Sequence, residues 1–231
     1  MSIYVTGDIH GSIDISKLNT KYFSDQKKLT KKDYLIICGD FGLIWNNSKE
    51  EIYWRKWLNN KNFTVLFCDG NHENHILLNE YPVEKWHGGK THRIEDSVIH
   101  LMRGQVFNID GYKFFVMGGA SSTDKVYRKE GISWWREEMP SIMEMNKGLD
   151  NLRNNNNKVD YIISHTCSSD TLRIISNLWG FTPKPKDELN KFFDIVEDEV
   201  KYKCWYFGHF HEDLKIKDNQ TLLYQKVRKI I

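Results

Sequence analysis

The chain has no apolar run approaching 18 residues, and no charged leader with an apolar segment precedes its opening MSIYVTGD. A membrane-spanning helix and a secretory signal are therefore read as absent, and a cytoplasmic protein is expected. Its four cysteines (Cys38, Cys68, Cys167, Cys204) stand singly, without a CxxC pair. Three of them fall in apolar runs where cysteine acts as a small hydrophobe, so reduced thiols are expected. Without export, the Asn-x-Ser/Thr triplets at 46, 62 and 219 carry no meaning as glycan acceptors. Charge of one sign is lacking too. A formal charge of +2 and a pI near 8.2 point neither towards nor away from nucleic acid or an acidic membrane surface.

Internal repeats and linkers are also missing, so one domain over residues 1–231 is expected. Several familiar motifs fail on inspection. Gly89-Lys90-Thr91 ends like a phosphate-binding loop, but Glu84 stands at the required first glycine. His72-Glu73-Asn74-His75 spaces its histidines by three instead of four, and neither Gly7 nor Gly11 begins GxGxxG.

What remains is the composition of a soluble globular protein, 40% apolar and 28% charged over 231 residues, enough to bury a sizeable core. Residues 2–6, 34–38 and 63–68 read as short buried strands, and the spacing predicts helices over Ile13 to Phe23 and Glu50 to Asn60. In the second helix, Ile52, Trp54, Trp57 and Leu58 would form an apolar stripe. This alternation implies a mostly parallel sheet with covering helices. Segments 98–102, 105–109 and 112–117 then follow closely, with the hairpin signal Asp110-Gly111. A long loop over 118–139 precedes a helix with Pro140 in its first turn, running towards Leu152. After the solvated Asn tract 154–157 come a strand at 159–164, helices at 168–178 and 187–200, and strands at 203–207, 213–217 and 221–225.

Five polar clusters each end an apolar strand: Gly7-Asp8-Ile9-His10-Gly11, Gly39-Asp40, Gly70-Asn71-His72-Glu73, Ser164-His165 and Gly208-His209-Phe210-His211. Ligands of α/β sheets bind beyond the carboxyl ends of strands, so the five can meet at one place. Singly each is weak, because Gly-Asp is ordinarily a turn and a lone histidine ordinarily a core or surface residue. His75, His87 and His100 are read in that ordinary way. Together, Asp8, His10, Asp40, Asn71, His165, His209 and His211 supply two carboxylates, an amide oxygen and four imidazoles. That exceeds the roughly three protein ligands of one catalytic zinc and suits two divalent ions sharing a carboxylate. The Asp8-x-His10 and His209-x-His211 spacings place each pair on one side of an extended strand.

The ordered set GDIHG, GD, GNHE, SH and GHFH, spanning residues 7 to 211, resembles the calcineurin-like metallophosphoesterase superfamily. The resemblance implies a mixed α/β fold, a four-layer αββα sandwich of two mixed β-sheets flanked by helices, with a dinuclear site on one edge. By position, Asp8, His10, Asp40 and His211 would hold one metal, and Asp40, Asn71, His165 and His209 the other, with Asp40 bridging. His72 would be the non-ligand catalytic histidine beside the leaving oxygen. The activity implied is hydrolysis of a phosphomonoester or phosphodiester by in-line attack of a metal-bridging hydroxide. Manganese leads as the cofactor, with iron or zinc as alternatives, since so many imidazoles argue against a purely magnesium site. A phosphate ester, with a nucleotide as one form, is the expected partner.

One departure bears on the substrate. The phosphoprotein phosphatase branch continues its second motif as G-D-x-x-D-R-G, where the Asp orients the catalytic histidine and the Arg grips phosphate. Here the chain reads GDFGLIW, lacking both. A replacement cation is sought in the 118–139 loop, in Arg128 and Lys125, with Lys129, Arg136, Arg93 and Arg103 behind them. The same loop also reads as a surface segment pinned by Trp134 and Trp135. Two rivals stand beside the phosphatase or phosphodiesterase reading: a nuclease of the same fold, which would want a basic groove, and a non-catalytic metal-binding scaffold, which would have shed ligands.

Overall fold

The computed structural model describes residues 1–180 and 186–231. Three short β-branched runs open the fold as β1 (Ile3–Thr6), β2 (Tyr34–Cys38) and β3 (Thr64–Cys68), paired in parallel. Nearly every residue in them is buried, as befits parallel strands covered on both faces. After α1 (Lys49–Asn59) and α2 (His75–Asn79) come β4 (Val83–Trp86), β5 (Gly89–Glu95) and β6 (Val98–Leu101). The second half holds β7 (Gln105–Ile109), β8 (Tyr112–Met117), α3 (Ile142–Arg153), β9 (Tyr161–Ser164), α4 (Ser169–Trp179) and α5 (Glu188–Glu199). It closes with β10 (Cys204–Phe207), β11 (Leu214–Lys217), β12 (Gln220–Leu222) and β13 (Arg228–Lys229).

Among the described residues these strands form two mixed sheets, in the orders β13-β1-β2-β3-β6-β5-β4 and β11-β12-β10-β9-β8-β7. A cluster including Val5, Ile36, Leu66, Phe107, Phe114 and Ile163 fills the space between the sheets. A second core around Phe41, Phe63 and Leu58 covers the outer face of the first sheet beneath α1. A third, around Phe115, Phe193 and Trp205, lies under α3, α4 and α5. The result is the expected four-layer sandwich.

The helices carry conventional caps: Ser48, Ser141, Ser168 and Asp187 each accept a first-turn N–H. α3 begins at Ile142 with Ser141 as its cap, so Pro140 stands just before the cap and not in the first turn where it was expected. A larger difference falls at 13–23, where the structure has short 3-10 turns (Ile15–Leu18 and Ser24–Lys28) in place of an α-helix. The cause is local competition: Asp14 turns back onto His10 and Lys17 dives into the interior, and neither fits a solvent-facing helical position. In α1 the buried positions are Glu51, Arg55 and Leu58, while Trp54 and Trp57 are half-buried. Glu51 is buried because its carboxylate accepts the N–H groups of Trp45, Asn46 and Asn47. The hairpin β4–β5, with His87 and Gly88 at positive φ, was not foreseen.

Candidate metal centre

The five strand-end clusters do converge. β1, β2 and β3 lie side by side in one sheet, β9 and β10 in the other, and their carboxyl ends share one edge of the sandwich. One ligand atom each from Asp8, His10, Asp40 and His211 lies within 4.8 Å of every other. Asp8 and Asp40 are buried to 0% and 1% exposure. His10 Nε2 lies 3.3 Å from Asp40 Oδ2, and His211 Nε2 lies 3.4 Å from Asp8 Oδ2. On the other side of Asp40, His165 Nε2 is 3.2 Å from Asp40 Oδ1 and 3.1 Å from Asn71 Oδ1. The His209 ring packs edge-on against His165, centroids 4.9 Å apart. Asp40 thus faces both groups of side chains.

The backbone is bent to achieve this. His10, Asp40, His209 and His211 hold φ of 43°, 45°, 73° and 53°. Left-handed non-glycine residues are uncommon, and four of them at one edge mark strain held by the surrounding structure. The loops are locked to each other: Glu73 accepts the N–H groups of Phe41 and Gly42, and the His72 N–H donates to Asp40 Oδ1. Both oxygens of Asp8 accept the His209 N–H at 3.1 Å. The glycines of the motifs make room for these side chains. A Cβ at Gly208 would collide with Asp8 Oδ1 and sit 2.8 Å from the Cys38 carbonyl.

The donor set fits cations. His165 Nδ1 lies 2.9 Å from the Cys38 carbonyl, which can only accept, so Nδ1 carries the proton. His10 Nδ1 is likewise fixed by the Asp14 carboxylate at 2.7 Å. In the neutral rings, Nε2 of each then presents a lone pair to carboxylate oxygens at 3.2–3.3 Å. Acceptors facing acceptors in a buried place call for positive charge between them. Without a cation, a proton on His165 can supply that charge. Burial alone would lower His165, but Asp40 and Asp8 outweigh it and raise the ring to about 10. Burial pushes the Asp8 carboxyl up, whereas at Asp40 burial is outweighed by His165 and by hydrogen bonds with His10 and His165, holding it well below the usual range. Burial and the neighbouring His165 take His209 down to about 3.

Beside this cluster opens a cavity of about 680 Å³, bordered by His72, Arg128, Ser121, Leu172, Asn190 and Phe210. Arg128 donates to Asp124 Oδ2 at 2.8 Å, and its terminal nitrogens come within 3.4–3.5 Å of both ring nitrogens of His72. Burial first, then Arg128 and the other imidazoles, lower His72 against the opposing pull of Asp40. Lys125 is engaged elsewhere, paired with buried Glu138 at 2.6 Å, next to Ser121 and over the Trp134 ring. Trp135 is buried against Trp45, so the loop is both anchored and cavity-lining. Arg103 and Arg93 are bound to Asp69 and Glu84.

Three participants were not foreseen. Glu73 stands in the GNHE motif, and Asp14 lies four residues after His10, each a faint local signal. Tyr224, whose hydroxyl donates to Asp14 and whose ring stacks on His211, gives none, being distant in sequence.

Two mixed sheets with carboxylates and imidazoles gathered at one edge are the arrangement expected of a calcineurin-like phosphoesterase scaffold. The chain belongs to the calcineurin-like phosphoesterase family, whose model matches residues 1–213. Among solved structures it is similar to that of a candidate 5′-nucleotidase from Staphylococcus aureus in complex with α-ketoglutarate. Identity there is 14%, the TM-score is 0.48, and the match covers 96% of this chain and 48% of that one, so this chain spans about half that protein's length. No curated protein matches the chain. Among the described residues no helix is long and apolar enough to cross a membrane.

Proposed function

We propose that the chain is one domain that hydrolyses a phosphomonoester or phosphodiester by in-line displacement with water, using two divalent cations. The observation that carries the reading is the gathering of imidazole nitrogens and carboxylate oxygens on both sides of buried Asp40. Asp8, His10, Asp40 and His211 would hold one cation, and Asp40, Asn71, His165 and His209 the other. When bound, such cations lower the pKa of water and neutralise phosphoryl charge. Manganese leads, with iron or zinc as alternatives.

The chain's own groups then divide the work. Asp40 and Asp8, fixed by the N–H groups of His72 and His209, set the geometry. The Asn71 side-chain N–H donates to Ser122, which turns the amide oxygen inward. His72 borders the cavity beside Asp40 and Arg128, where it would assist a leaving oxygen by hydrogen bonding. Arg128, beside His72, takes the place of the missing motif arginine as the grip on the phosphate. Lys125, tied to Glu138, does not.

The test is manganese-loaded protein assayed on an aryl phosphomonoester, an aryl diester, cyclic nucleotides and single-stranded oligonucleotides. Hydrolysis of an ester, lost in Asp40→Asn together with bound metal, is expected. A protein that takes up no metal and hydrolyses none of them sinks the reading. Cleavage of oligonucleotides alone would favour the nuclease. His72→Ala is expected to keep both metals and lose most rate on poor leaving groups, and equal loss on all leaving groups counts against its role.

A further inference from the structure

The family match ends at residue 213, yet the chain returns to the candidate centre after that point. Residues 223–226 are wedged against the first motif. The Leu223 N–H donates to the Phe207 carbonyl at 2.8 Å. The carboxylate of Asp213 accepts the N–H groups of Tyr224, Gln225 and Lys226 at 2.9–3.1 Å. Lys17, only 3% exposed, donates to the carbonyls of Gly7, Asp8 and Tyr224 at 3.0, 2.5 and 2.5 Å, tying this segment to the Asp8 turn. Packing is close enough that a Cβ at Gly7 would lie 2.8 Å from Tyr224 Cα and overlap the Leu223 carbonyl.

What these clamps present is one side chain. The Tyr224 hydroxyl donates to Asp14 Oδ1 at 3.0 Å, and Asp14 Oδ2 sits 2.7 Å from His10 Nδ1. The Tyr224 ring also stacks on His211, centroids 5.0 Å apart and planes at 22°. One tyrosine therefore contacts His211 directly and His10 through Asp14.

We infer that Asp14 and Tyr224 form a positioning pair that prepares His10 and His211 to bind one cation, which makes the segment after residue 213 part of the centre. This rests on the reading above. A carboxylate can only accept, so Asp14 keeps the His10 proton on Nδ1 and leaves Nε2 free. Without Asp14, the nearest acceptor for a His10 proton is Asp40 Oδ2, 3.3 Å from Nε2. The ring would then carry its proton on the nitrogen a cation needs. Tyr224 fixes the Asp14 carboxylate from one side and the plane of His211 from the other.

The test uses the full chain with Asp14→Ala, Tyr224→Phe and Tyr224→Leu, read in three ways. Long-range ¹H–¹⁵N spectra of the metal-free protein report the His10 tautomer, calorimetric titration with Mn²⁺ reports each ion's affinity, and melting reports the metal-free fold. We expect Nδ1–H His10 in the native protein and loss of that tautomer in Asp14→Ala. One ion should bind about 10–100-fold more weakly in Asp14→Ala, while the other changes less than about twofold. Tyr224→Phe, which keeps the ring on His211, should lie between the native protein and Tyr224→Leu. An unchanged tautomer with unchanged affinities overturns the inference. So does equal weakening of both ions together with a lower metal-free melting temperature, the signature of a merely structural pair. A native protein that binds no Mn²⁺ overturns the metal reading instead, and the tautomer spectrum then decides the Asp14 role by itself.

Discussion

Replacing Arg103 by Met tests how the third motif is held. Asp69 immediately precedes Gly70-Asn71-His72 and is 1% exposed. Its Oδ2 accepts from Arg103 Nε at 2.8 Å and from Nη2 at 2.5 Å, while Oδ1 faces His100 Nε2 at 3.1 Å. The same Nη2 donates to the Glu137 carbonyl at 2.8 Å, fastening the end of the 118–139 loop to the end of β3. Methionine keeps the length of the side chain but strands the carboxylate. Breaking one side of a buried pair costs about 3–5 kcal/mol, because the remaining charge stays buried without its partner. For a chain of this size each kcal/mol shifts the melting temperature by about 2–4 °C, so a fall of roughly 6–20 °C is expected. Arg136→Met supplies the control. Its pair with Glu130 has side chains 78% and 47% exposed, and the loss there should stay within about 0.5 kcal/mol. Urea unfolding of the native protein, Arg103→Met, Arg136→Met, Asp69→Leu and the double variant Arg103→Met/Asp69→Leu measures the terms. The double variant should be more stable than the sum of its single losses, since it removes the stranded charge. A loss for Arg103→Met no larger than that for Arg136→Met, or strict additivity in the double variant, refutes the reasoning.

Three further expectations follow from the same geometry. Burial holds His75 down to about 3 and His92 to about 4, so both stay neutral in the fold while the unfolded chain protonates them near 6.5. Their contribution is full above about pH 6.5 and drains as pH falls towards 4, about 2 kcal/mol for each histidine by pH 5. Urea midpoints at pH 7.5 and 5.0 should show this drop, reduced in His75→Gln/His92→Gln, and an undiminished drop in that variant rejects the assignment. Gly208→Ala should displace Asp8 and cost about 1–3 kcal/mol by overpacking, with weaker metal uptake, and normal metal content in the variant would contradict it. Arg128→Ala should raise KM and flatten its dependence on salt, because the side chain lines the cavity and its ion pair with Asp124 is partly exposed. Lys125→Ala should leave KM within about twofold, and matching effects of the two would undo the distinction between them.

The strand ends were legible because their signals are local. A β-branched run closing in Gly-Asp or Gly-His needs no partner to be recognised, and Asp110-Gly111 takes up the hairpin its dipeptide implies, with φ of 52° and 85°. The family order then linked five fragments that no spacing rule connects. What escaped is non-local. The helical spacing of Ile13 to Phe23 was real as a pattern, but Lys17 and Asp14 are recruited by groups more than 200 residues away, and tertiary demand overrode periodicity. The apolar count of α1 missed that Glu51 and Arg55 would be buried by hydrogen bonds to the 43–47 loop. Arg128 and Lys125 look alike in sequence, and only the positions of Asp124, Glu138 and His72 separate a cavity-facing cation from a bound one.

The two halves of the candidate site are built to different tolerances, and the missing Asp-Arg pair explains why. In the stretch after Asp40, Phe41 stacks on Phe67 with centroids 4.1 Å apart and planes at 11°, and Leu43 and Ile44 are fully enclosed. Glu73 ties up the Phe41 and Gly42 N–H groups. That side of Asp40 is core, with no face left to grip an anion. On the proposed reading, recognition would enter from across the cavity, from the 118–139 loop and from the Leu172, Asn190 and Phe210 side. The side chains proposed to hold cations would need rigid supports, and Cys38, Lys17 and Asp14 hold them in place. Arg128, the proposed phosphate grip, sits on a loop whose Asp124 and Glu130 ion pairs are partly exposed and cheap to rearrange. On the proposed reading, the reaction belongs to the strand ends. Substrate choice would then belong to the loop and helix wall facing them, where variants such as Arg128→Ala have to be read.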